Sequence, residues 1–203
     1  FRTVSLSREV SVQGRREVLL GKGKFGIFGD GKELPQVVMS HFFKDGDYRS
    51  GYYRDQTLLM SQNLLSAREI FAAVYGHPDK LYEKMSGGRQ MAGHFLTNTI
   101  DENNNWIDQT SQKNHISDIS PTASQMSRLV GLGLASKIYR NNSISGSEKF
   151  SKNGNEVVWG TIGNASTSQG IFFEAVNACG VLQIPTIISA VSYTHLRAHE
   201  TRT

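Results

Sequence analysis

Residues 156–162, EVVWGTI, read as a strand that runs into Gly163 and the small polar loop Asn164-Ala165-Ser166-Thr167-Ser168. A helix follows, carrying Ile171, Phe172, Ala175, Val176 and Cys179 and expected to stop at Gly180. Residues 184–189 then read as a further, buried strand. The chemistry such a loop suits is anion binding. A short loop begun by glycine lets a diphosphate approach the backbone, and the following helix N-terminus carries about half a positive charge. The loop holds no acidic residue that would repel the anion. Taken alone, it is also compatible with a plain tight turn between strand and helix.

His94 is the second candidate, because it sits in GRQMAGHF, residues 88–95, within a long stretch without periodicity. The other histidines, His41, His77, His115, His195 and His199, show no metal-ligand spacing and read as surface or satisfied residues. Cys179 lies on the apolar side of its helix and reads as a small buried hydrophobe. The glycines around Gly21-Lys22-Gly23-Lys24-Phe25-Gly26 resemble a kinase phosphate loop, but no matching lysine, HRD or DFG element follows. The Walker pattern is absent too, so this stretch reads as a turn-rich lead-in. No spacing supports a Ser–His–Asp hydrolase.

The elements that must position these groups follow from periodicity. Residues 1–35 are basic and glycine-rich, and 33–43 form a short amphipathic helix. Residues 45–57 read as a strand and turn that present side chains and are not core. Ser66 with Glu69 makes a capping box before Ile70, Phe71, Val74 and Tyr75, and Gly76 stops that helix. Residues 83–118 show no convincing regular element. A second helix is expected from Ser120-Pro121, with Met126, Leu129, Val130, Leu134 and Ile138 as its apolar face. Residues 141–155 read as a surface loop. The strand–loop–helix–strand order near the end implies a right-handed parallel crossover and an α/β sheet, whose ligands sit at the carboxyl ends of the strands.

Composition bounds the rest. The 203 residues, 38% hydrophobic and 20% charged, describe one ordinary soluble globular domain. One cysteine excludes a disulfide framework and a Cys-based zinc site and fits a reducing compartment. A net charge of +4 is spread too thinly to argue for nucleic acid, and no apolar run is long enough for a membrane span. Phe1 is an improbable natural start, so the N-terminal edge is expected to be missing. Residues 191–201 resemble the translation of a sequencing-library adapter, with a natural basic tail as the alternative. We therefore expect a domain over 1–190 and a non-native tail over 191–203, in which His195, Arg197 and His199 carry no function.

Four segments in order resemble the α part of the thiamine-diphosphate-dependent first component of 2-oxo acid dehydrogenase complexes, the branched-chain type most. Tyr53-Arg54 in SGYYRDQT resembles the family's Tyr-Arg pair at the cofactor diphosphate. GRQMAGHF resembles its GRQM-x-x-His segment. Ile119-Ser120-Pro121-Thr122-Ala123-Ser124-Gln125 resembles its cation-binding S-P-x-A-[ST]-Q loop. WGTIGNASTSQGIFFEAVNACG, residues 159–180, resembles the first half of its thiamine diphosphate motif. Where that motif has an acidic Mg²⁺ ligand this sequence has Asn164, whose amide oxygen can coordinate a hard cation without adding charge. By the family's spacing the second half of the motif falls near Ser192 and Tyr193.

The resemblance implies a parallel-sheet thiamine-diphosphate fold of three layers, α/β/α, here truncated. It implies oxidative decarboxylation of a 2-oxo acid, a branched-chain one favoured, with acyl transfer to a lipoyl carrier. Tyr53, Arg54, Gly163, Asn164, Ala165, Ser120 and Gln125 would hold the cofactor, and Asn164 its Mg²⁺. Ser120, Pro121, Ser124 and Gln125 would hold a monovalent cation such as K⁺, and His94 would stand at the reacting centre. The implied partners are a β part, fused or separate, which supplies the activating glutamate, and a lipoyl-bearing acyltransferase. This chain would be inactive alone, in the cytoplasm, with neither nucleic acid nor membrane as partner. The alternatives are a pyruvate-type or transketolase-like thiamine enzyme, or a non-catalytic interaction subunit.

Overall fold

A computed structural model describes residues 1–90 and 93–192. The chain divides into two compact units. Among the described residues, one comprises Phe1–Phe42 and Tyr53–Phe95 with Val191 and Ser192; the other comprises Phe43–Tyr52 and Leu96–Ala190. The chain has an α/β fold in which helices flank a parallel-stranded sheet, consistent with a three-layer α/β/α architecture.

The first unit is helical: α1 (Arg2–Leu19), α2 (Glu33–Phe42), α3 (Gln56–Ser61) and α4 (Ala67–Val74). Helix α1 replaces the lead-in expected over residues 1–35. Its buried face is Ser7, Val10, Ser11, Gly14 and Glu17, mostly small or polar, so no hydrophobic period announces it. Hydrogen bonds do the work of oil there. Ser7 Oγ lies 2.7 Å from Thr57 Oγ1, and Gln56 Nε2 donates to Ser11 Oγ at 2.9 Å. Helices α2 and α4 match expectation. In α4 the Ser66–Glu69 capping box closes, with Ser66 N–H donating to Glu69 Oε2 at 2.7 Å and Glu69 N–H to Ser66 Oγ at 3.3 Å.

The second unit holds β1 (Tyr48–Ser50), β2 (Asn114–Ile116), β3 (Val158–Gly163) and β4 (Thr186–Val191), in the order β2-β1-β3-β4. Strand β1 runs parallel to both neighbours, with Tyr48 opposite Asn114 and Val158. The strand expected within 45–57 is present, but all three β1 residues are buried, which corrects the reading that it presents its side chains and is not core. The polar composition misled because Arg49 and Ser50 find partners inside. Strand β2 is the one short strand within residues 83–118, beside a 3-10 turn at Gln109–Ser111.

Two helices cover one face of this sheet. Helix α5 (Gln125–Asn141) starts later than the Ser120-Pro121 signal suggested, because Ala123 at φ 64° interrupts a right-handed helix. Its buried face is Met126, Leu129, Gly133 and Ser136, whereas Ile138 is exposed. Leu129 is wholly buried against β3; a Cβ on Gly160 would meet its Cδ2 at 2.7 Å. Helix α6 (Gly170–Leu182) runs past the expected stop at Gly180 and ends at Gln183 in the left-handed conformation, φ 48°. Strand β4, expected to be buried, is only partly so, because it is the last strand on its side of the described sheet. Cys179, expected to be buried, is only partly so, and packs against the core of Tyr48, Met126, Leu129, Val158 and Ile162. No helix among the described residues is long and apolar enough to cross a membrane.

Leu129→Ala opens this contact between α5 and β3. It is expected to cost about 2–5 kcal/mol, read as a lower urea midpoint with an unchanged m value.

Candidate functional site

In the second unit the chain passes from β1 outward to β2, then returns to β3 on the other side of β1. The order of strands therefore switches between β1 and β3, the position whose carboxyl-end crevice takes ligands in open α/β sheets. Strand β3 ends there in the 3-10 turn Asn164–Ser168, none of whose residues is buried. The turn is held from within: Thr167 Oγ1 donates to Asn164 O at 2.6 Å and Ser168 Oγ to Ala165 O at 2.8 Å. Helix α6 follows with no side-chain cap and no acidic residue in its first turn. Phe172 N–H donates to Gln169 O at 3.0 Å, so the dipole and the N–H groups ahead of Phe172 are what this helix start offers an anion.

Ser120 and Pro121 are exposed in the turn that precedes α5. Gln125 is buried and fastens three elements at once. Its Nε2 donates to Thr161 O at 2.9 Å, and its carbonyl accepts from Ser50 Oγ at 2.8 Å. Ser124 caps α5 by position, and its carbonyl accepts from Ser127 Oγ at 2.9 Å.

Around these lies a polar cluster that the sequence reading did not single out. Arg49 is fully buried; its Nη2 pairs with Asp118 Oδ1 at 2.9 Å and its Nε donates to His115 Nδ1 at 2.8 Å. Because arginine only donates, His115 Nδ1 must be unprotonated. Burial, helped by the positive charge of Arg49 and Lys113, holds this imidazole neutral, with its pKa well below the ordinary value of 6.5. Phe43 stacks on His115 at 5.2 Å. Arg128, in the first turn of α5, donates from Nε to Ser50 Oγ at 3.1 Å. Its Nη2 is buried without a hydrogen-bond partner among the described residues. An unspent guanidinium donor of this kind suits an oxyanion. Arg49 stands 66 residues from its partner His115 and 69 from Asp118, so no local motif could reveal the cluster.

In the first unit, Tyr53 and Arg54 follow β1 directly in the chain and are half-buried. The Arg54 guanidinium lies 5.6 Å from the centroid of the Tyr53 ring. The Arg54 carbonyl accepts from Gln36 Nε2 at 2.9 Å. Lys32 is almost wholly buried nearby, and desolvation lowers its pKa to about 8 against the pull of Asp55. Gly93, at φ 94°, lies against Tyr53: a Cβ there would come within 3.0 Å of the Tyr53 carbonyl oxygen. The fold thus brings the His94 segment beside Tyr53-Arg54, 40 residues apart in sequence. Met91 and Ala92 of that segment lie outside the described residues, as does the tail from Tyr193, including most of the suspected adapter. Among the described residues no cluster of three or more His, Cys, Asp or Glu could hold a metal ion.

Folded His115 stays neutral while an unfolded imidazole takes up a proton near 6.5, so acid favours the unfolded chain. The contribution is complete above that value and is lost below it, by up to about 1.4 kcal/mol per pH unit. Urea unfolding from about pH 5 to pH 8 should therefore show a steeper acid limb in the wild type than in His115→Gln.

The comparisons with known proteins agree with this geometry. Residues 10–192 match the model of the family described as "Dehydrogenase E1 component". Over 189 residues the chain is 26% identical to the "2-oxoisovalerate dehydrogenase subunit alpha" of Bacillus subtilis (strain 168), covering 92% of this chain and 48% of that protein. The chain thus spans about half the length of the curated relative it matches.

Proposed function

The chain belongs to the dehydrogenase E1 component family, and from that premise we propose that it is the cofactor-holding part of a thiamine-diphosphate-dependent 2-oxo acid dehydrogenase. Residues 1–190 would form the partial thiamine diphosphate-binding domain. The observation that carries the proposal is the turn Asn164–Ser168: unburied, free of acidic residues and leading into an uncapped helix at the strand-order switch.

When bound, thiamine diphosphate supplies the electron sink for losing CO₂ from a 2-oxo acid. The work of this chain is to bind and orient. Arg54 would neutralise diphosphate oxygens through charge-assisted hydrogen bonds, with Tyr53 holding its guanidinium in place. Gly163, Asn164 and Ala165 would bring backbone to the diphosphate, and the Asn164 amide oxygen would hold Mg²⁺. Ser120, Pro121, Ser124 and Gln125 would keep a K⁺-stabilised loop at the base of α5, and His94 would orient or exchange a proton at the reacting centre.

The name of the Bacillus subtilis relative favours a branched-chain 2-oxo acid as substrate. A β part, fused or separate, would complete the site, and a lipoyl-bearing acyltransferase would accept the acyl group. The proposed compartment is the cytoplasm.

Calorimetric titration with thiamine diphosphate and Mg²⁺ tests the proposal. Saturable binding that inorganic pyrophosphate competes away is expected; absence of binding contradicts it. Arg54→Ala should weaken binding about tenfold to 100-fold, the loss of one or two charged hydrogen bonds, with little change in the urea midpoint. Equal losses of binding and stability would make Arg54 a structural residue.

A further inference from the structure

Glu83 is 2% exposed, yet its carboxylate gathers four donors from the next five residues. Oε1 accepts from Met85 N–H at 3.0 Å; Oε2 accepts from Ser86 N–H at 2.7 Å, Ser86 Oγ at 2.8 Å and Gly88 N–H at 2.9 Å. Ser86 Oγ passes the connection on, accepting from the N–H groups of Arg89 and Gln90 at 3.0 Å each. Burial pushes the carboxyl group up, but these hydrogen bonds outweigh it and hold Glu83 below the ordinary carboxylate range. Lys84 extends the connection to α4 through Glu69 at 2.6 Å. Glu83, Ser86, Gln90, Gly93 and His94 line one hollow of about 10 Å³, close to the smallest space that admits a water. The other charged groups on its wall are Glu69 and Lys84.

We propose that Glu83 is a positioning residue: by folding residues 83–90 into one tight turn beside α4, its carboxylate fixes where His94 stands. The consequence for chemistry rests on the reading of His94 as a residue of the reacting centre. Residues 83–90 contain no helix or strand that could hold their shape, and four of the donors they turn inward converge on this one carboxylate. Glutamine is not an adequate substitute, because its NH₂ group would oppose one set of N–H donors whichever way it turned.

The test uses the full chain and the His94 ring ¹³C–¹H correlation in NMR, assigned through His94→Gln, together with amide exchange over residues 84–90. Glu83→Gln is expected to speed exchange at Ser86 and Gly88 about tenfold or more, and to displace the His94 correlation. Glu83→Asp, which keeps the charge, should restore part of both. If exchange quickens while the His94 correlation stays at the wild-type position, Glu83 is merely structural and the proposal fails; no change in either also overturns it. Should Glu83→Gln not fold, Ser86→Ala removes one hydroxyl from the same hub and is judged by the same two readouts. Adding thiamine diphosphate with Mg²⁺ separates the two readings. A wild-type His94 signal that ignores the cofactor removes His94 from the reacting centre, while the coupling between Glu83 and His94 is still decided by the unliganded spectra.

Discussion

A guanidinium without access to water lies in the central strand of this sheet, and the second unit is arranged so that Arg49 can stay there. Removing such a charge from water costs several kcal/mol, recovered only where geometry and extra hydrogen bonds are good. Asp118 supplies the opposite charge at 2.9 Å, and His115 supplies a neutral acceptor on the register neighbour of Arg49 itself. Both partners come from the stretch around β2, so this strand of three residues is anchored by side chains as much as by its ladder. With β2 fixed, the chain after Asp118 must turn through Ala123 into α5. Gln125 and Arg128 then meet Ser50 and Thr161 at the carboxyl ends of β1 and β3. Charge placement in the core thereby sets where the carboxyl ends of the strands lie.

The two units differ in the kind of group they present. The second offers backbone, through the turn Asn164–Ser168 and the uncapped start of α6, where close approach and a fixed dipole matter more than formal charge. The first offers side chains with formal charge, Arg54 over Tyr53 and the buried Lys32, on helices fastened by polar contacts such as Ser7 to Thr57.

Elements whose physics is local were readable from sequence. The Ser66–Glu69 box, the helix over 33–42 and the strand running into Gly163 each carry their signal within a few residues. So does the turn after Gly163, which lacks acids and hydrophobes alike. What escaped depends on distant partners. Helix α1 buries serines and a glycine, so its periodicity is invisible until Gln56 and Thr57 are seen opposite it. Strand β1 was legible as a strand but looked exposed, because its arginine and serine reveal their burial only beside His115, Asp118 and Gln125. The Pro121 signal misplaced the start of α5, since a residue at positive φ two positions on overrules it. Of the candidate site residues, the fold gathers Tyr53, Arg54 and the segment of His94 in one unit. Ser120, Ser124, Gln125 and the Gly163 turn stand in the other.

The account turns on whether the strand-to-helix turn in the second unit receives a diphosphate. Hydrogen exchange of the chain with and without thiamine diphosphate and Mg²⁺, resolved to single amides, measures this where it should happen. The account predicts slowed exchange at the amides of Ala165, Ser166 and the first turn of α6. Unchanged exchange at those amides, with protection elsewhere or nowhere, would contradict it.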